Sequence, residues 1–552
     1  MRRLAGLRPF ALPLGVTLGL TAWVCAGSWG WSSSGATGGA TGGWGAGWFL
    51  YRDFVAVPEP RLGPQSLGVS GAAARAVPLD AVTTALALVV PTSVQQQLML
   101  AGVLVLAGLG VAVLLRAHGT VAMACGAAVA VWNPYVAERL LLGQPPTLLA
   151  YSMAPWIVLA VRHPGPAGRR LALVVLAALP AALTPFGGVV AAVVAVAASL
   201  ATPARRTRGW LASVLVVAFL WCLPWLAAAT TGPGVVADRD GAIAFAVGAD
   251  SPLGTVGSVL MLGGAWAPGA RPSSRLDLLP VLASLAILLL AAAGVLAHAR
   301  RGRRRAAVVL ATLYAGPVCV VLLLSTGPGL ALFTVAQDVP GVAIFRDTHR
   351  LLGLSALVCA VGVGLAAGAL TRWFAARPPA GGRGPSAAPV FGAGLVVLAL
   401  TVLTVPDLPG LVARSYRPVA YPPSWQQVVD AVESTPGDGA VLVLPWQPFR
   451  NPAWAGGQPF LDPLPRALDR EVLSSFDLTV ARDDRALVVG GGDPAESRAW
   501  AAGRLDPAVL DRLGISVVVE WQGTAGRLPS SHAGLVAVLR SPEFTVWSRR
   551  TG

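Results

Sequence analysis

Lysine is absent from this sequence, so all 41 strongly basic side chains are arginines. Charge of either sign is scarce: 12% of the 552 residues carry it, where a soluble domain usually has about 25%. Cysteine is scarce too. Cys25, Cys125, Cys222, Cys319 and Cys359 each fall in an apolar run, and none lies in the long C-terminal segment. That excludes a disulfide framework and a paired-cysteine metal site, and isolated buried thiols behave as small hydrophobes. No GxxxxGK[ST] loop is present, which excludes a phosphate-loop nucleotide engine. Asp, Glu, Arg and His are missing from the middle of the apolar runs, where ion-coupled transporters need them near the bilayer midplane.

What is present is apolar. Hydrophobic residues make up 55% of the chain and the mean hydropathy is +0.66. Several runs approach the roughly 20 residues that cross a bilayer as a helix, the form in which a backbone pairs its own polar groups in lipid. No alternating strand pattern points to a β-barrel. The net charge of +15 invites a nucleic-acid reading, but many of the arginines sit in short clusters between apolar runs, where they orient a membrane protein. Nucleic acid is therefore not an expected partner; membrane lipid is.

Hydropathy predicts about eleven spans, at 9–31, 96–116, 119–136, 145–161, 170–186, 187–203, 209–230, 278–298, 305–325, 351–371 and 390–408. The first, led by Arg2, Arg3 and Arg8, is long for a signal peptide and lacks a clean cleavage site, so it is read as a retained helix. The fifth and sixth are broken by Pro180, Pro185, Gly187 and Gly188. With the N-terminus inside, the inner connections carry Arg116, the groups at 162–170, 205–208 and 300–305, then Arg372, Arg377 and Arg383, with no acid among them. Every Asp and Glu before residue 410 then falls outside. The expected architecture is a polytopic α-helical membrane domain at 1–409, with a large first outer loop at 32–95, and an extracytoplasmic α/β domain at 410–552. The protein is placed in the cytoplasmic membrane with its C-terminal domain outside.

The C-terminal segment is polar and nearly charge-balanced. Strands are predicted at 440–446, 515–521, 535–539 and 544–547, and Asp506-Pro507 with Leu510, Leu513 and Gly514 reads as a short capped helix. In the first outer loop a Gly-rich stretch precedes Trp48-Phe49-Leu50-Tyr51-Arg52-Asp53-Phe54. Asp53 is either a general base at the membrane surface or the partner of Arg52 in a structural ion pair. Phe345-Arg346-Asp347-Thr348-His349-Arg350 stands before the tenth span. Arg346, Arg350 and His349 read either as a phosphate clamp or as interfacial anchors. Trp132-Asn133-Pro134-Tyr135-Val136-Ala137-Glu138-Arg139 closes the third span; Asn133, Tyr135, Glu138 and Arg139 read either as a span end in the interfacial belt or, with Arg52, Glu59 and Asp347, as the lining of an outer vestibule. Asp238-Arg239-Asp240 has a D-x-D spacing, a weak candidate for a divalent metal against a solvated turn. Trp446, Phe449, Trp454 and Phe460 either stack on sugar rings or pack the domain.

These residues together resemble the GT-C superfamily of membrane glycosyltransferases, and more closely its YfhO-like and actinobacterial relatives. The resemblance rests on Asp53 within Tyr51-Arg52-Asp53-Phe54 and Val57-Pro58, on Asn133-Pro134-Tyr135, on Phe345-Arg346-Asp347 and on Leu513-Gly514-Ile515. It implies transfer of a sugar from a polyprenyl-phosphate donor to a cell-envelope glycan or glycolipid outside the membrane. Asp53 would be the base, and Arg346 or Arg350 would hold the donor phosphate. Many members carry two neighbouring acids in the first loop, whereas here Glu59 is six positions from Asp53. The competing expectations are a non-catalytic scaffold that binds glycan and a lipid or glycolipid transporter.

Overall fold

The computed structural model describes residues 8–29, 45, 47–70, 76–205, 207–231, 239–339, 341–376, 388–482, 485–490 and 495–549. Arg2, Arg3, most of the Gly-rich stretch, Arg206, Asp238, Arg377 and Arg383 lie outside the described residues.

The first four hundred residues form a helical bundle, and each segment expected to span is helical. Among the described residues six helices are long and apolar enough to cross a membrane, or seven if the bent pair Ala388–Leu403 and Leu408–Ser415 forms one span. This is fewer than eleven for two reasons. Pro145–Val161, Ala167–Ala182 and Pro185–Ala201 are short, and Leu278–Leu324 counts once although it is broken in the middle. There Arg301 leaves helical geometry and Gly302 takes φ +79°, separating two 21-residue helices, Leu278–His298 and Arg304–Leu324.

Position in the bundle follows from which faces are apolar. The windows within Thr120–Leu141 and Thr348–Ala375 are 89% and 72% buried, against 33% for Arg208–Thr230. The first two therefore form the centre, whereas the last exposes Leu215, Val216, Phe219 and Leu220 on an outer face suited to lipid.

The C-terminal domain is built on a five-stranded mixed sheet, in the order Leu535–Arg540, Phe544–Arg549, Ile515–Trp521, Ala440–Leu444, Val472–Leu473. The first three pair antiparallel, and the Ala440–Leu444 strand pairs parallel on both sides. Ala440–Leu444 is buried along its whole length, as expected for a central strand covered on both faces. The predicted capped helix forms at Pro507–Arg512, where the Asp506 side chain accepts from the Ala508 N–H at 2.9 Å.

The loop that carries Asp53 does not stand apart from this domain. Trp48–Phe49 pairs antiparallel with Pro418–Val419. The Arg52 N–H donates to Pro459 at 2.9 Å, and its carbonyl accepts from Leu461 at 2.8 Å. Leu50, Val55 and Val57 share an apolar core with Trp425, Val441, Phe460 and Trp521. On the bundle side, Gln96 is buried at the start of the Thr92–Leu114 helix and holds the Phe49 peptide groups: its Oε1 accepts from the N–H at 2.9 Å and its Nε2 donates to the carbonyl at 3.0 Å.

Buried peptide groups deprived of partners cost roughly 1–3 kcal/mol each. Gln96→Leu, which removes both, is expected to lower the melting temperature and to speed amide exchange at Phe49. Unchanged exchange there would show that the glutamine does not hold the loop.

Candidate active site

The chain enters the site through the short helix Pro134–Leu141. Asn133 caps it, accepting from the Val136 N–H at 3.0 Å, and Pro134 suits the first helical position. The helix stops at Gly143, whose φ is +70°. A side chain there would meet the backbone of Tyr51 and Asp53, so glycine both ends the helix and lets the Asp53 loop lie against it. Two phenols hold carbonyls at this helix end: Tyr51 donates to Leu141 at 2.8 Å and Tyr416 to Leu140 at 2.5 Å.

Arg139, in the last turn, is fully buried and makes a bidentate pair with Asp347 at 2.6 and 3.2 Å. The same guanidinium donates to Gln144 Oε1 at 3.0 Å, and Gln144 Nε2 donates to Asp53 Oδ2 at 3.2 Å. Asp347 also accepts from Arg350 Nε at 3.2 Å. Burial alone would raise the Asp347 pKa, but the charges of Arg139 and Arg350 outweigh it and hold the carboxyl well below its ordinary value.

Arg139 also contacts His349 Nδ1 at 2.5 Å. Because arginine only donates, Nδ1 accepts and the imidazole proton sits on Nε2. That nitrogen faces Glu138 Oε2 at 3.0 Å. Glu138 in turn accepts from the Gly264 and Ala265 N–H groups at 3.2 and 2.8 Å. Beside it Asp250 pairs with Arg275 at 2.5 Å. Burial opposes ionisation of Asp250, and Arg275 more than reverses the effect, aided by hydrogen bonding to Glu138.

A cavity of about 780 Å³ opens on this network where the bundle meets the C-terminal domain. Asp53, Arg346, Asp347 and Arg350 all line it, so the two sequence motifs separated by nearly three hundred residues meet on one cavity. Arg52 lines it too, but donates to the Gly269 carbonyl at 3.1 Å, and no ion pair with Asp53 forms. The Arg346 guanidinium lies 4.2 Å from the centre of the Phe245 ring, which sets its plane. The C-terminal domain contributes Phe449, Leu461 and Arg466 to the wall.

Several expected site residues are placed elsewhere. His349 does not reach the cavity: it is fully buried, stacked on Tyr135 and held between Arg139 and Glu138. Glu138 and Arg139 are likewise buried in the wall rather than open to a vestibule; Asp347 compensates the Arg139 charge, and Glu138 accepts from the Gly264 and Ala265 N–H groups. Tyr135 donates to the Arg350 carbonyl at 3.2 Å, a structural contact, and Asn133 serves as the cap. Glu59 is exposed and away from the cavity lining. Asp240 is exposed at the start of the helix Arg239–Ala244, also away from it. Of the aromatic group only Phe449 lines the cavity; Phe460 and Trp454 pack on each other, and Trp446 packs on Trp500.

The residues do not fit a divalent metal. Of the cavity's three carboxylates, Asp80 pairs with Arg466 at 3.2 Å and Asp347 with two arginines. Among the described residues no group of three or more His, Cys, Asp or Glu is arranged to hold a cation.

Sequence reasoning missed Gln144, Gln96, Asp250 and Arg275. The run Gln95-Gln96-Gln97 at the head of an apolar span was the available signal for one of them, since amides have little reason to enter lipid.

Against solved structures, the chain superposes on the arabinofuranosyltransferase AftD from Mycobacteria with a TM-score of 0.55 and 18% identity, covering 99% of this chain and 40% of that one. The fold is GT-C-like. An oligosaccharyltransferase from Archaeoglobus fulgidus also aligns, at a TM-score of 0.42 and 13% identity over 92% of this chain and 69% of that one. The chain thus spans 40% of AftD's length. No protein-family model matches the chain, and no curated protein matches it.

Removing one partner of a buried ion pair typically costs about 3–5 kcal/mol. Asp347→Asn, which leaves Arg139 uncompensated, is expected to lose stability on that scale in thermal unfolding of the solubilised protein. Because the Asp347 pKa is depressed in the fold, its contribution is present above the ordinary carboxyl value of about 3.9 and lost as pH falls below it. The variant should therefore lose less stability than the parent on acidification; an equal loss would rule the pair out as the source.

Proposed function

We propose that the chain is a membrane glycosyltransferase that moves a hexosyl or pentosyl group from a polyprenyl-phosphate donor to a cell-envelope glycan or glycolipid, on the outer face of the cytoplasmic membrane. The observation that carries this reading is the meeting of Asp53 with Arg346 and Arg350 on one cavity. The GT-C-like fold supports it, as does the glycosyl-transfer activity named for AftD.

In this reading the donor phosphate sits at Arg346 and Arg350. Arginines outnumber acids around the cavity, with Arg52, Arg346, Arg350 and Arg466 against Asp53, Asp80 and Asp347, and Arg139 behind. That excess favours an anionic leaving group. Arg350 is aimed by Asp347 and Arg346 by the Phe245 ring, so neither needs much reorganisation to receive charge. The acceptor hydroxyl lies against Asp53. As its oxygen attacks the anomeric carbon, the proton passes to the Asp53 carboxylate and the bond from that carbon to the phosphate oxygen breaks, leaving the electron pair on the phosphate. Gln144 orients Asp53 through its amide N–H, and Arg139 orients Gln144. No metal takes part in this scheme.

One observation favours the non-catalytic alternative: Asp53 is the cavity carboxylate without an arginine partner, and no second acid stands beside it. A glycan-binding scaffold needs only the cavity. Membranes carrying Asp53→Asn separate the two. The catalytic reading expects transfer to fall by roughly 100-fold or more, the usual scale for a general base, with donor binding retained. Arg350→Ala should instead weaken donor binding. Undiminished transfer by Asp53→Asn would remove the base assignment, and the absence of transfer by the parent chain alongside retained glycan binding would favour the scaffold.

A further inference from the structure

A second cavity, of about 1900 Å³, lies at the far end of the bundle. Two helices run from one cavity to the other. Thr92–Leu114 begins with Gln95 and Gln96 on the first and ends beside Arg116 on the second. Leu352–Ala375 begins after Arg350 on the first and carries Arg372 into the second. Along helices of 23 and 24 residues, rising about 1.5 Å per residue, the polar ends of the two cavities lie roughly 30 Å or more apart, about the thickness of the hydrocarbon core, while the apolar wall of the second reaches back to Leu106 and Leu354.

The two cavities differ in electrostatics. The first mixes arginines with carboxylates. The second is lined by Arg116, Arg162, Arg372 and the four arginines at 301–305, and by no carboxylate. Among the described residues none of these seven is in an ion pair. Three histidines, His118, His163 and His298, stand among them. Burial, then the charges of Arg372 and Arg303, push the His118 imidazole below its ordinary value. Two nitrogens, His118 Nδ1 and Arg372 Nε, are buried without a hydrogen-bond partner, a costly arrangement. Arginines that merely orient a helix point separately into the headgroup layer. Here they come from four different connections and converge on one opening.

Behind the arginines the wall is apolar, with Met153, Leu173, Leu176, Leu310, Leu313 and Val361. Anion-binding groups at the headgroup level and an apolar slot at hydrocarbon depth are the two halves of an amphiphile site, and basic pockets between membrane helices bind phosphate headgroups. We propose that this cavity is a binding site for a phosphate-bearing lipid, with the phosphate among the arginines and the hydrocarbon in the slot. The proposal is independent of the glycosyl-transfer reading, since it uses none of the residues around Asp53.

The test is lipid retention by the full chain, solubilised and measured by native mass spectrometry against phosphatidylglycerol and phosphatidylcholine of the same acyl chains. Phosphatidylglycerol is expected to be retained at concentrations lower by about tenfold or more, given about 1 kcal/mol per arginine near a headgroup. Arg303→Gln with Arg372→Gln should abolish the preference, whereas Arg303→Lys with Arg372→Lys should keep most of it. Leu313→Trp, which fills the slot and leaves every arginine in place, should lower retention, with melting temperatures confirming that each variant is folded. Inorganic phosphate should compete poorly because it lacks the tail. Equal retention of the two lipids, an unaltered preference in the folded glutamine variant, or competition by inorganic phosphate as effective as by lipid would each overturn the site.

Discussion

The buried pairing of Arg139 with Asp347 is the contact on which the arrangement around Asp53 depends. It joins the end of one short helix to the turn that starts the central Leu352–Ala375 helix, across 208 positions of sequence. Two charges removed from water gain little net stability relative to an apolar pair of the same shape. What they add is direction. A bidentate guanidinium–carboxylate pair tolerates one plane and one distance, and from that plane Gln144 and Arg350 take their own orientations. An apolar pair would hold the same two segments together without specifying where the Asp53 carboxylate or the Arg350 guanidinium points.

The pair belongs to a larger cluster of buried ionisable groups, each of which has polar partners. Glu138 lies against two backbone N–H groups and His349; Asp250 lies against Arg275. Arg450 and Asp462 repeat the device inside the C-terminal domain, at 2.9 Å. These groups occupy the end of the molecule where the Asp53 loop, the bundle and the C-terminal domain meet. At the opposite end the arginines that line the second cavity form no ion pair among the described residues, which makes the charge distribution around the two cavities strongly asymmetric. An asymmetry of this kind orients membrane helices through arginine alone, since acids contribute little to it.

Periodicity and hydropathy made the helices legible, and the capping chemistry at Asp506-Pro507 made even a six-residue helix legible. Asp53 and the Arg346/Arg350 motif were legible as chemistry because polar side chains beside apolar spans are few. Their meeting on one cavity belongs to the three-dimensional structure, and Glu138, expected in the same vestibule, is buried behind its wall. His349 was not legible. A histidine between two arginines at a span end reads as solvent-facing, and only the distant Glu138 and Arg139 make its burial affordable. The number of spans was overcounted relative to the helices that meet length and hydropathy, because a hydropathy run registers apolar content and not whether a helix is broken, short or sheltered by its neighbours. Gln144 and Asp250 carry no local signal: their roles exist only once segments distant in sequence, 91 positions apart for Gln144 and Asp53, are in contact.

The Asp53 loop also alters what the C-terminal domain is. By composition it begins near residue 410, as a polar appendage after the last apolar helix. In three dimensions Leu50, Val55 and Val57 sit in its core, Trp48–Phe49 pairs with its first strand, and Phe449, Leu461 and Arg466 return to wall the cavity. The loop bearing Asp53 is thus held from both sides, by Gln96 of the bundle and by the backbone of Pro459 and Leu461. A carboxylate carried on a loop attached at one side only would sample many positions. Attachment to two rigid bodies restricts it to the small set of positions that both allow, the condition under which a single carboxylate can act at a defined atom. The C-terminal domain therefore serves the cavity first by immobilising the loop and only then by lining it.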